Sequence, residues 1–206
     1  MANTRRARPA SGPRSVSATA VHTIKVTLHG SQPPIWRRLQ VPSTTDLLQV
    51  HRLIQAAFGW EGYHMWAFEA GRERYGVADG DLGIRSAEAK RLGDVAPIVG
   101  SRLGYTYDFG DDWEHDILVE AVDAAEPGTA YPRCLTGRRA CPPEDCGGVW
   151  GYAYLIEVLA DPAHEEHEDR LEWLGLDSAD QFDPASFDLA EINQILTDLQ
   201  SVLIPA

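Results

Sequence analysis

Between Gly104 and Glu120 the chain reads GYTYDFGDDWEHDILVE, and the period of this stretch leaves little choice of secondary structure. Tyr105, Tyr107 and Phe109 fall on one side of an extended chain, with Thr106 and Asp108 on the other. After Gly110-Asp111-Asp112 the pattern resumes, with Trp113, His115, Ile117 and Val119 opposite Glu114, Asp116 and Glu120. Successive side chains of a strand point to opposite faces, so this alternation predicts an antiparallel hairpin with one buried aromatic face. His115 belongs to the buried set. The rest of the domain must supply a layer that covers that face.

The same period of two recurs upstream. Ile24, Val26 and Leu28 alternate with Thr23, Lys25 and Thr27, and a turn at Gly30 to Pro34 leads to a second strand, Ile35 to Val41. Arg37 shares the apolar face of that strand and needs a carboxylate or carbonyl partner, because an unpaired buried charge is too costly. Pro42 to Asp46 reads as a helix start with a hydroxyl cap, and Leu47, Val50, Ile54, Ala57 and Phe58 form its apolar stripe up to Gly59. His51 and Arg52 lie off that stripe and are expected in solvent. His64, Trp66 and Phe68 then alternate as a strand, with His64 either a ligand or hydrogen-bonded packing. Residues 71–103 carry no clear period beyond a short strand around Tyr75-Gly76-Val77 and a helical turn from Leu92 to Val99. Helices are predicted over Val149–Ala160 and His164–Leu174, followed by a C-terminal one carrying Leu189, Ile192, Ile195, Leu196 and Leu199. The expected fold class is α+β. It is an antiparallel, twisted sheet of about five strands, with an N-terminal helix and a C-terminal helical cluster packed on it.

Residues 1–20 contain Arg5, Arg6, Arg8 and Arg14, no acidic residue, and mostly Ala, Ser and Pro, so a disordered basic arm is expected there. Residues 21–206 then form a single domain. The net charge of −13 is unevenly spread: residues 1–107 carry 14 Lys and Arg against 8 Asp and Glu, and residues 108–206 carry 4 against 23. The acidic half would repel a polyanion. Nucleic acid remains a possible partner through the basic N-terminal half, where Arg37, Arg38, Arg72 and Arg74 are candidates, joined by Arg138 and Arg139. No apolar run is long enough to span a bilayer, so no membrane partner is expected. An odd set of 3 cysteines without an apolar leader predicts a cytoplasmic protein with free thiols or metal ligands.

Two groups of residues carry chemistry. Asp108, Asp111 and Asp112 crowd the hairpin turn, and Glu144-Asp145 sits in the segment CPPEDCGG. Together with His115 they are the candidate catalytic set. Carboxylates that converge can hold divalent ions for phosphodiester hydrolysis, although Glu144 and Asp145 are equally explained as anions at a helix N-terminus. Cys134, Cys141 and Cys146, with His164 as a fourth ligand, form a candidate structural zinc site, though neither cysteine gap has the tight spacing of a zinc knuckle. His164 and His167 are three residues apart, which also suits a metal. The cofactor expectation is therefore a structural Zn or a divalent metal, or none.

Four stretches, IKVTLHGSQPPIWRRLQVP, FGWEGYHMWAF, YTYDFGDDWEHDILVE and CLTGRRACPPEDCGGVWGYAYLIEVLADPAHEEHE with the later EWLG and FDPASFDL, make the chain resemble the plasmid pRiA4b ORF-3-like family over residues 22–192. That resemblance implies a compact α+β domain found on plasmids and as a passenger of insertion elements. In this family the position of Cys146 need not be cysteine. A resolvase-like label is also attached to the family, but Ser101 beside Arg102 is not a nucleophile set among phosphate-binding arginines. The functional expectation is a mobile-element accessory domain, a non-enzymatic protein- or nucleic-acid-binding module with an aromatic-lined site at Tyr107, Trp113 and His115. The alternative is a divalent-metal-dependent nuclease or phosphodiesterase using Asp108, Asp111, Asp112, Glu144 and Asp145.

Overall fold

The structure, a computed structural model, describes residues 20–203, so the expected basic arm lies outside the described residues apart from Ala20. Strands β1 (Ala20–Leu28), β2 (Trp36–Pro42), β3 (Trp66–Ala70), β4 (Glu73–Gly76), β5 (Ile84–Ser86), β6 (Arg102–Tyr107), β7 (Trp113–Ala124) and β8 (Arg133–Arg138) form one sheet in the order β5-β4-β3-β6-β7-β1-β2-β8. The pairings are antiparallel except for β4 with β5. The helices are α1 (Leu47–Phe58), α2 (Leu92–Val95), α3 (Gly148–Ala160), α4 (His167–Leu174) and α5 (Leu189–Leu203).

The α+β class stands, but the five-stranded antiparallel sheet does not: the sheet has 8 strands and is mixed. The short strand expected around Tyr75-Gly76-Val77 is β4, which lies slightly earlier, and the unexpected strands are the least patterned: β5 is an edge piece of 3 residues, too short to display a period. β8 reads RCLTGR, with no alternating apolar face, and only Cys134 on it is buried. Pairing with β2 makes it a strand, in the register Leu39↔Cys134 and Trp36↔Arg138.

The hairpin forms as its alternation dictates. Tyr107↔Trp113, Tyr105↔His115 and Leu103↔Ile117 are register partners, and all six side chains are buried. Phe109 departs from the expectation. It lies past the end of β6, is 37% exposed and packs under the Arg74 guanidinium.

Helix α1 lies on the aromatic face. Asp46 caps it by accepting from the Gln49 N–H at 2.8 Å, so a carboxylate rather than a hydroxyl does the capping. Gly59, at φ 84°, ends it. His51, expected in solvent, is buried: it accepts a place against the Tyr105 hydroxyl at 2.7 Å and stacks on Trp66 at 3.9 Å. The buried arc of α1 is wider than its aliphatic stripe because Trp66, Tyr105 and Tyr107 of the sheet pack along its polar side.

Arg37 is buried and finds carbonyls. It donates to Ala57 O at 2.8 Å, Trp36 O at 3.0 Å and Arg138 O at 3.2 Å, between the rings of Phe58 and Phe187. Gly137 opposite it is obligatory, since a Cβ there would collide with Phe187 and the Arg37 stem. Among the described residues no helix is long and apolar enough to cross a membrane.

Trp113→Ala should lower stability by roughly 3–5 kcal/mol, the usual cost of emptying a buried tryptophan site. Phe109→Ala should stay within about 0.5 kcal/mol. Urea unfolding midpoints of the two variants check the division between buried and exposed aromatics.

Candidate metal centre

The site is assembled where β3 and β6 begin and end. Trp66 and Tyr107 are register partners, so the residues just outside the ladder, His64 and Met65 on one strand and Asp108 on the other, are forced alongside each other. The Asp108 N–H donates to Met65 O at 2.8 Å, extending the pairing by one step. Asp108 then turns sharply, with φ 52°, and its Oδ1 accepts from the Gly110 N–H at 2.9 Å. Aspartate tolerates that left-handed backbone better than most residues.

Glu144 and Asp145 arrive from the segment between β8 and α3. Trp60 Nε1–H donates to Pro142 O at 2.9 Å and pins the segment to the loop after α1. Glu144 accepts from the Glu61 N–H at 2.8 Å and from the Tyr107 hydroxyl at 3.1 and 3.2 Å to its two oxygens. Asp145 Oδ2 accepts from the Tyr63 hydroxyl at 2.9 Å. Burial first, and then the Glu144 charge, push the Tyr107 hydroxyl well up, while the Asp145 hydrogen bond leads in raising Tyr63 to about 12. Both phenols therefore stay protonated donors.

His64 Nε2 is the centre of the arrangement. It lies 3.1 Å from Asp145 Oδ1, 3.5 Å from Asp108 Oδ2 and 3.9 Å from Glu144 Oε2. Despite the short distance to Asp145 it makes no hydrogen bond, although the atom is buried. One ligand atom each from His64, Asp108 and Asp145 lies within 4.8 Å of the other two. This is the spacing of donors around a shared ion. Asp145 is 57% exposed, so one side of the cluster opens to solvent.

Of the catalytic candidates read from the sequence, Asp108, Glu144 and Asp145 come together and the others do not. Asp111 Oδ2 accepts from the Gly147 N–H at 3.0 Å, and Gly148 packs so closely on the Asp111 carbonyl that a Cβ would collide with it. Asp111 and Asp112 instead border a cavity of about 360 Å³ shared with Gly148 and Trp150. His115 is core: its Nδ1 lies 3.3 Å from Tyr105 O, and the rings of Phe58 and Trp60 meet it edge-on. Burial depresses it to about 4. His64, left open between ligand and packing, is the residue that joins the carboxylates. Its position one step outside the β3–β6 ladder is the signal that identifies it.

The zinc expectation fails on geometry. Among the described residues the only group of three or more metal-competent side chains is His64, Asp108 and Asp145, and no cysteine enters it. Cys134 is buried on β8, where its thiol faces Thr136 O and its N–H donates to Asn193 Oδ1. Cys141 and Cys146 are free thiols, and burial pushes the latter up to about 12. His164 Nδ1 accepts from the Glu166 N–H, and His167 Nδ1 lies 3.0 Å from Val158 O, so both rings serve the backbone. Three of the six candidate basic residues are engaged internally: Arg37 on carbonyls, Arg38 in a two-point pair with Glu120 at 2.5 and 3.0 Å, and Arg74 beside Glu69, while Arg72 and Arg138 are exposed.

An α+β domain with one histidine and three carboxylates at the end of a sheet is thus the class this chain defines. The chain belongs to the plasmid pRiA4b ORF-3-like protein family, whose profile matches residues 20–191. It is 38% identical over 183 residues to the uncharacterized protein y4hQ of Sinorhizobium fredii, covering 87% of this chain and 92% of the relative. It is also similar to the crystal structure of MM3350, a protein of unknown function from Methanosarcina mazei Go1. The TM-score is 0.75 at 40% identity, over 84% of this chain and 98% of that one.

Two buried imidazoles make stability depend on pH. His51 is lowered to about 3 and His115 to about 4, in both cases by burial first. Their folded values lie below that of an unfolded histidine, so the unfolded chain binds more protons, and stability falls as pH drops from about 6.5 toward 4. His115→Leu should flatten that slope, which unfolding midpoints measured at several pH values will show.

Proposed function

We propose that the protein is a divalent-metal-binding domain whose ion is held by His64, Asp108 and Asp145, with Glu144 in reach. The supporting observation is the convergence of these ligand atoms within 4.8 Å of one another around an imidazole nitrogen that has no hydrogen bond. Oxygen-rich donors with a single imidazole suit a hard or borderline ion such as Mn²⁺ or Mg²⁺ rather than a thiolate-seeking one. The chemistry such an ion supplies is a water made nucleophilic at neutral pH and a polarised phosphoryl oxygen. In this reading the domain is a phosphodiesterase or nuclease acting in the cytoplasm, in association with mobile DNA. Tyr107 and Tyr63 orient Glu144 and Asp145 by donating to them, and the exposed flank at Asp145 admits substrate.

A second reading, a non-enzymatic protein-binding module, is favoured by a separate observation. Trp150 is 88% exposed, and Tyr154 lies one turn further along the same side of α3, above the acidic helix α4. Tryptophan and tyrosine are enriched among the residues that carry binding energy at protein interfaces. Trp150 borders the cavity beside Asp111 and Asp112 and is not a member of the His64 cluster.

Titration calorimetry with Mn²⁺ on the full chain tests the first reading. We expect saturable binding near one ion per chain. Asp145→Asn or His64→Ala should weaken binding by about tenfold or more, the scale of losing one charge-assisted ligand. Asp111→Asn should leave it unchanged. Absence of binding in the unsubstituted protein, or equal loss in Asp111→Asn, would falsify the assignment.

A further inference from the structure

The loop that carries His64 has a second face. Glu61 and Gly62 also line a cavity of about 640 Å³ between α1, α5 and β3, walled by Trp60, Trp66, Leu48 and Val77. That volume lies within the range of small-molecule sites, about 300–1,000 Å³, and the lining is mixed, with Arg52, Glu61 and Asp198 beside the apolar and aromatic side chains. The uncharged polar groups, His51 and Gln55, belong to one buried network. Gln55 Nε2–H donates to the Tyr105 hydroxyl at 2.8 Å, and that hydroxyl lies 2.7 Å from His51 Nδ1.

The network fixes what faces the cavity. The Tyr105 oxygen accepts from Gln55, so its own proton goes to His51 Nδ1, which must then be the unprotonated nitrogen. Burial keeps the imidazole neutral, with its pKa lowered to about 3, and the remaining proton sits on Nε2. Gln55 is itself 4% exposed, and its Oε1 is buried with no hydrogen-bond partner. An acceptor left without a partner costs on the order of 1–3 kcal/mol, which a ligand donor would recover. The acceptor Oε1 and the donor Nε2–H converge: a methyl group placed on Gly62 would sit 3.7 Å from both. Gly62 has φ 76° and no side chain, so it is the thinnest cover the chain can lay over the pair.

We propose that this cavity binds an uncharged planar ring with a lactam edge, as in a uracil or guanine base. The ring N–H donates to Gln55 Oε1, its carbonyl accepts from His51 Nε2–H, and Gly62 shifts aside to admit the edge. Trp60 and Trp66 border the cavity, while their ring faces pack on Phe58 and Tyr107 and on His51 respectively. Tyr63 and His64 follow Gly62 directly, so a nucleotide whose base sat here would extend toward the carboxylate cluster. That last link rests on the metal reading above; recognition of the base does not.

The test is a saturation-transfer and equilibrium titration of uridine and guanosine against the full chain, with EDTA present so that metal plays no part. Uridine should bind. 3-Methyluridine, which lacks the ring N–H, should bind about tenfold or more weakly, the worth of one hydrogen bond to a buried acceptor. Gln55→Leu should weaken uridine to the same degree and erase the difference between the two nucleosides. Val77→Trp, at an exposed rim position where folding is not at stake, should block both. Asp145→Asn should keep uridine binding while losing Mn²⁺, which separates failure of this proposal from failure of the metal site. Failure of both uridine and guanosine to bind, or equal binding of 3-methyluridine, overturns the proposal.

Discussion

The register of β3 against β6 is the constraint on which the rest depends. Pairing Trp66 with Tyr107 does two things at once. It seats two large aromatics in the core beneath α1, and it ends the ladder where His64 and Asp108 must emerge side by side. A slip of one residue would turn Tyr107 to the opposite face and carry its hydroxyl away from Glu144. The burial of Tyr107 on one end and its hydrogen bond to Glu144 on the other therefore link core packing to the site.

Holding three carboxylates near one imidazole is electrostatically unfavourable unless something offsets their repulsion. Donors surround them: the Tyr107 and Tyr63 hydroxyls and the N–H groups of Glu61 and Gly110. These come from different parts of the chain, so the cluster is stable only when the sheet, the loop after α1 and the CPPED segment are all in place. A bound cation would supply the remaining positive charge, which is why the proposed metal and the fold would reinforce each other. The cavity on the far side of the same loop shares this dependence, since Trp60 both walls it and anchors Pro142.

Local pattern was enough to read the hairpin, β1, β2, β3 and the long helices, because each has one buried face and a period that shows it. Legibility failed where the buried face was too short or too polar. β5 has room for a single inward side chain or two, and β8 is a strand because β2 offers it hydrogen bonds, not because its residues demand it. His51 was misread for a related reason: it lies off the aliphatic stripe, and only the assembled sheet brings Trp66 and Tyr105 against it. The cysteines misled because, among the described residues, their thiols do not meet one another and a histidine around one point.

What the sequence by itself determined is the set of chemistries present and the identity of the main core face. Alternation in Tyr105, Tyr107, Trp113, His115 and Ile117 admits one hairpin, and the carboxylates of the two turns were visible as unusual. Which carboxylates meet was decided by tertiary structure alone. Asp108 and Asp111 are three residues apart, yet a left-handed turn sends the first to His64 and the second to the start of α3. The physical reason is that spacing along a chain sets a residue's neighbours only within one strand or helix; across a turn, they are set by the elements that pack against it.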